Sequence, residues 1–241
     1  SDKFSEPSAG FPKTCRYMLN GERTGSPIFR RHKSVSSKMA ISPESSEAKE
    51  IQLLKDEEGG LLYEEGIATI SFYKGPFKPT VEAIRAQLAL VVASNPWVAG
   101  RLVTTGAGMR LKHPSSPSAA DVDALFTATS AEDSSGFKIK ANASYVDMCT
   151  EMYNSGKVII GGGNTLVDQD VGLTKLVLSE KSAGEFALIF SMTHTVADGR
   201  TYYEIFQMLT PGAAVRALNV TRVLTFSEEV CSYLSTYLMI L

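Results

Sequence analysis

The chain is predicted to be an α/β protein, a two-layer sandwich in which a mixed β-sheet is flanked by helices. Three observations carry this. Residues 67–73 are β-branched and aromatic, which is a strand composition. Residues 186–193 place Phe186, Leu188, Phe190 and Met192 on one face and Ala187 and Ile189 on the other, so this second strand is apolar on both sides and belongs inside a sheet. Two segments, 81–94 and 199–209, repeat apolar residues at the helical period.

The elements follow in order. Residues 1–60 read as an irregular arm, basic around Arg30-Arg31-His32-Lys33, then Ser-rich, then acidic from Glu44 onward. Lys74-Gly-Pro76 breaks the first strand. Thr80 is a candidate cap for a helix bearing Val81, Ile84, Leu88 and Val91, and this helix stops at Asn95-Pro96 because proline excludes its predecessor from the α region. Residues 101–105 form a strand, 106–136 a long loop, 137–140 a short strand and 145–153 a helix. Gly161-Gly-Gly163 marks a hinge or turn that lacks the context of a nucleotide-binding loop. Residues 173–179 and 186–193 are strands joined by a turn over 181–185, and Pro211-Gly212 ends the helix opened by Asp198-Gly199. Residues 61–226 thus form the main lobe. Residues 227–241 are an amphipathic helix capped by Ser227, with Val230, Tyr233, Leu234, Tyr237, Leu238 and Leu241 in one stripe.

Composition narrows the function classes. Hydrophobic residues are 44% and charged residues 21%, with a net charge of −2, an ordinary globular balance without the basic footprint of a nucleic-acid binder. No apolar run is long enough for a transmembrane segment. Cys15, Cys149 and Cys231 are odd in number and lack CxxC spacing. They predict a reducing compartment, cytoplasm or organelle interior, rather than secretion. The two sequons at Asn142 and Asn219 are short enough to arise by chance.

Histidine is scarce: His32 lies in the basic arm, His113 beside Pro114, and His194 at the end of the buried strand, just before a helix. Strand ends of this kind are where α/β proteins assemble sites. The three contexts do not converge, so no metal site is expected. Imidazole titrates near neutrality and suits proton transfer. A structural histidine, and an Asp198 that only caps the next helix, are the alternatives.

The segment Ser191-Met-Thr-His194-Thr-Val-Ala-Asp198-Gly199 resembles the HxxxDG motif of the chloramphenicol acetyltransferase-like superfamily, which includes the BAHD acyltransferases and the condensation domains of peptide synthetases. Many members carry HHxxxDG; here Thr193 stands at the first histidine and His194 at the catalytic one. Upstream, Ser94-Asn-Pro-Trp-Val-Ala-Gly-Arg-Leu102 resembles the block that follows the first long helix in that family. The resemblance covers about residues 61 to 210.

It implies a chloramphenicol acetyltransferase-like fold and an acyltransferase with His194 as general base. Asp198 would support the site by pairing with an arginine, for which Arg101 is the candidate, and Gly199 would admit close backbone approach. The co-substrate implied is an acyl-CoA or carrier thioester, with a small-molecule alcohol or amine as acceptor and no resident cofactor or metal. Two-lobed members of the family are about twice as long and carry a DFGxG-type motif that is missing here. The expectation is therefore one lobe of a complete enzyme, whose C-terminal helix meets a second lobe, a homo-oligomer or a partner protein. The competing expectation is a non-catalytic, acyltransferase-derived subunit of a larger assembly.

Overall fold

The computed structural model describes residues 14–17, 48–133, 137–138, 140–154 and 158–222. Strands β1 (Thr14–Tyr17) and β2 (Ala48–Gln52) and a short helix α1 (Leu61–Glu64) precede β3 (Gly66–Lys74). Helix α2 (Phe77–Ser94) leads to β4 (Arg101–Thr105), β5 (Gly108–Pro114), α3 (Ala119–Leu125) and β6 (Phe126–Thr129). Then come α4 (Tyr145–Asn154), α5 (Gly163–Leu166), β7 (Thr174–Ser182), β8 (Glu185–Thr193) and α6 (Gly199–Met208). The α/β architecture with a mixed sheet is the one expected.

The main sheet has the order β1-β3-β8-β7-β6. Its neighbours are antiparallel except β6 and β7, which run parallel. A smaller antiparallel sheet has the order β2-β5-β4. Strand β8 is interior: β3 pairs with it from Gly66↔Thr193 to Lys74↔Glu185, and β7 from Thr174↔Met192 to Ser182↔Glu185. Every residue of β8 after Glu185 is buried. Its two faces divide as the alternation predicts. Phe186, Leu188, Phe190 and Met192 join the core beneath α2 and α6, and Ala187 and Ile189 join a second cluster with Met148 and Met152 of α4.

Helix α2 buries Ile84, Gln87, Leu88, Val91 and Val92. Its buried polar groups fix the chain that follows α6. Gln87 Nε2 donates to the Met208 and Ala213 carbonyls, and Asn95 Nδ2 to that of Arg216, while the Leu218 N–H donates to Asn95 Oδ1. Asn95 thus ends the helix as expected and also carries a tertiary contact. On α6, Tyr202 is fully buried against Phe190. Its hydroxyl donates to the Phe190 carbonyl at 2.7 Å and lies 2.9 Å from Thr69 Oγ1. Burial pushes this phenol well above its ordinary pKa, so it stays a neutral donor.

Several expectations are corrected. The arm over 1–60 contains β1, β2 and a 3₁₀ turn at Lys55–Glu57. The 106–136 loop contains β5, α3 and β6. In β5 the alternation of Met109, Leu111 and His113 with Arg110 and Lys112 is a half-buried strand pattern, and Gly108, at φ 105°, makes the tight turn from β4. Helix α3 starts at a Ser118/Asp121 capping box, a signal readable in the sequence. Described residues of 137–140 form no strand; Phe137 is instead a buried plug whose carbonyl accepts from Ser179 Oγ. Pro76, not Thr80, occupies the cap position of α2, and Thr80 bonds back to the Pro76 carbonyl. Strand β7 runs on to Ser182, so the turn is only Ala183-Gly184, with Gly184 at φ 81°. His113 lies within β5 and is buried. The 227–241 helix and His32 lie outside the described residues. No described helix is long and apolar enough to cross a membrane.

Tyr202→Phe keeps the ring packing but removes both hydroxyl contacts. It should lower the unfolding free energy by about 1–3 kcal/mol in a urea titration, with an unchanged m-value. An unaltered midpoint would show that the link between α6 and the sheet carries no weight.

Candidate active site

His194 follows the last residue of β8, and each neighbouring residue fastens the loop it opens. The Thr193 N–H donates to the Leu173 carbonyl, and the His194 N–H to the Glu65 carbonyl at 3.1 Å. Thr193 Oγ1 donates to Thr195 Oγ1, and Thr195 Oγ1 to the Leu62 carbonyl. Val196 and Ala197 are buried in the main core. The loop is therefore tied to α1 on one side and to the sheet on the other.

Three close glycine contacts make this possible. A Cβ at Gly66 would strike the Ile160 carbonyl, one at Gly162 the Glu64 backbone, and one at Gly163 both Thr195 and Tyr63. The 161–163 glycines, read as a hinge or turn, are thus a close-packed seat beneath the His194 loop. They need small size rather than unusual φ, since none of them has positive φ.

The His194 ring is half-buried, and its Nδ1 is buried with no hydrogen-bond partner among the described residues. Buried polar atoms are nearly always paired, so this ring nitrogen is open to a partner beyond the described residues. His194 lines none of the four cavities described in this fold.

Asp198 caps α6: its Oδ1 accepts the Thr201 N–H at 2.7 Å. That bond, helped by the charges of His194 and Arg200, holds its carboxyl below the usual carboxylate range. Its expected partner is elsewhere. Arg101 bonds Asp170 through Nε at 3.2 Å and the Ala99 and Gly100 carbonyls through Nη1. It starts β4, on the small sheet, whereas Asp198 follows the central strand of the main one. The Asp198–Arg101 pairing is therefore corrected to an Asp198 cap and an Arg101–Asp170 pair. Gly199 has no described neighbour within reach of a Cβ, so the fold makes no use of its small size.

The arginine that does reach this loop is Arg222, which carries no signal in the sequence. Its Nη2 donates to the Val196 carbonyl at 3.1 Å, and the guanidinium grips both carboxylate oxygens of Glu57. Only 11% and 15% of the two side chains are exposed. Nothing in the local sequence marks this pair, because its members are 165 residues apart.

Four outcomes are expected. Asp198→Ala should cost about 1 kcal/mol as a lost cap, and a cycle with Arg101→Ala should be additive within about 0.5 kcal/mol. Because its pKa is depressed in the fold, the Asp198 contribution is complete above the unfolded carboxyl pKa of about 4. It is lost as pH falls through the lower folded value. Asp198→Asn, which also caps, should flatten that dependence in pH-resolved thermal melts. Arg222→Met leaves Glu57 unpaired and should cost about 3 kcal/mol by chemical denaturation.

No family model matches this chain, and no curated protein matches it. Among solved structures, TRI101 of F. graminearum complexed with ethyl coenzyme A is 17% identical with a TM-score of 0.45, over 68% of this chain and 38% of that one. The starter condensation domain of rhizomide synthetase RzmA is 13% identical with a TM-score of 0.42, over 72% of this chain and 38% of that one. SgcC5 of Streptomyces globisporus is 16% identical with a TM-score of 0.41, over 75% and 37%. The chain spans less than two-fifths of the length of each. At this overlap the likenesses bear no weight in the functional reading, which rests on the site itself.

Proposed function

We propose that residues 61–226 form the histidine-bearing lobe of a chloramphenicol acetyltransferase-like acyltransferase. It moves an acyl group from a CoA or carrier thioester to an alcohol or amine. One observation supports this above the others: His194, in an HxxxDG sequence, directly follows the central strand, buried beyond Glu185, on a loop fastened from both sides. Catalytic groups work when their supports are rigid, and these supports combine backbone bonds with short threonine hydroxyls and the buried Arg222 guanidinium.

In this reading the acceptor O–H or N–H gives its proton to the His194 imidazole as the oxygen or nitrogen attacks the thioester carbonyl. The tetrahedral intermediate collapses, the C–S bond breaks, and the imidazolium returns the proton to the departing thiolate. Asp198 contributes by fixing the start of α6, and Arg222 by holding the Val196 carbonyl; neither is assigned contact with substrate. The walls of the substrate channel are assigned to a second lobe, another copy of the chain or a partner protein, as the resemblance to two-lobed acyltransferases implies.

One observation favours the non-catalytic alternative. A base acting through Nε2 carries its proton on Nδ1, and no described residue accepts from Nδ1. The two readings separate in a thiol-release assay on the assembled protein with a panel of acyl-CoA donors and amine or alcohol acceptors. His194→Ala and His194→Gln should lower turnover by about 10²–10⁴-fold with an unchanged circular dichroism spectrum. The wild-type rate should fall on acidification, as the base becomes protonated. Retained turnover in both variants would reject the catalytic reading.

A further inference from the structure

We propose that the cleft of about 630 Å³ at the β7–β8 hairpin end of the main sheet binds a small phosphate ester. Its anionic group would lie among Lys74, Lys138, Lys140 and Lys181, and its apolar part against Phe72. This inference is independent of acyl transfer. Glu185 and Phe186 at the cleft begin β8, whereas His194 follows its other end. A strand of this length spans roughly 26 Å, so the two sites are well separated.

The lysines come from three separate segments: the end of β3, the chain before α4, and the end of β7. They surround a concavity rather than lying along one exposed face. Lys74 pairs with Glu185 at 3.7 Å across a solvent-exposed gap. Lys138, Lys140 and Lys181 have no ion pair with a carboxylate among the described residues. Of the nearby acids, Glu151 accepts the Lys138 N–H and acts on Lys181 only at longer range, and Glu180 accepts the Ala131 N–H. This excess of positive charge sits in a chain whose net charge is −2, so it does not follow from overall basicity. Like charges gathered around one concavity repel each other, and an anion is the partner that relieves this.

Lys181 carries the argument furthest. Its Nζ lies 4.5 Å from the centre of the Phe137 ring and 3.2 Å from Ser179 Oγ. A ring face and a hydroxyl replace only part of the water that this ammonium has lost. Burial accordingly lowers its pKa to about 8. A phosphate oxygen in the cleft would supply the missing charge. The volume lies within the roughly 300–1,000 Å³ of small-molecule sites, well above what inorganic phosphate needs, and Phe72 offers it an apolar surface. Confinement of the charge to one cleft favours a discrete small molecule over an extended polyanion.

The test is isothermal titration calorimetry of the whole chain at low salt with magnesium-free ATP, pyrophosphate and adenosine. ATP and pyrophosphate should bind, ATP more tightly, and adenosine should not. Lys181→Met and the double variant Lys138→Gln/Lys140→Gln should each weaken ATP binding about tenfold or more, since each removes charge from the anion's surroundings. His194→Ala should leave ATP binding unchanged, which separates failure here from failure of the acyl-transfer reading. A measurement on the wild type alone is also decisive: ATP should protect Lys181 from acetylation by acetic anhydride, read by peptide mass spectrometry. Absence of binding by either anion at millimolar concentration, equal affinity in the lysine variants, or unprotected Lys181 would overturn the proposal. So would binding to phosphatidylinositol bisphosphate vesicles without binding of any soluble phosphate ester.

Discussion

Strand β8 is hydrogen-bonded along both edges and buried on both faces, and the rest of the fold is arranged around that condition. A backbone taken out of water on all sides must satisfy its polar groups through neighbouring strands, so β3 and β7 are fixed in register against it. Its outward-facing residues on one side require a helical cover, which α2 and α6 supply, and those on the other require α4. The Tyr202 hydroxyl then ties α6 to the Phe190 carbonyl of the same strand. His194 inherits its position from this frame: it is the first residue beyond a strand that cannot shift by one residue without exchanging the side chains of its two buried faces.

The loop after His194 shows how little side-chain machinery is needed to hold such a residue. Backbone bonds to Glu65 and Leu173, a threonine relay to α1 and an N-cap at Asp198 use elementary devices, each worth about 1 kcal/mol. The costly interaction is the Glu57–Arg222 pair. It brings together the turn after β2 and the extended chain beyond α6, and it presents the Arg222 guanidinium to the Val196 carbonyl. Residues 165 positions apart therefore meet at the loop that carries the candidate base, which couples its geometry to completion of the fold.

Charge is distributed unevenly over the two ends of the main sheet. At the His194 end the carboxylate of Asp198 is held ionised by a backbone donor. At the hairpin end four lysines line a cleft with Glu185 as its one lining carboxylate and Glu151 at longer range, and one of the four is partly stripped of water. Such an imbalance costs stability in an isolated domain, and it is the kind of local concession that binding sites show.

The sequence by itself determined the elements whose reasons are local. The two-sided apolar alternation of 186–193 specified an interior strand, the 3.6-residue period specified α2 and α6, Asn95-Pro96 specified where α2 stops, and Asp198 was recognisable as a cap. The stretch over 106–136 reads as a loop because the charged Arg110 and Lys112 mask a half-buried strand, although Ser118 and Asp121 carry the capping-box signal of α3. Tertiary structure alone decided the remainder. Arg101 could not be assigned a partner from sequence, because β4 belongs to the smaller sheet, where Asp170 is within reach and Asp198 is not. Arg222 and Glu57, the glycine seat under Thr195, and the lysine cleft each join residues far apart along the chain. Periodicity and capping act over a few residues, whereas long-range pairs exist only once the sheet order has set which segments are neighbours.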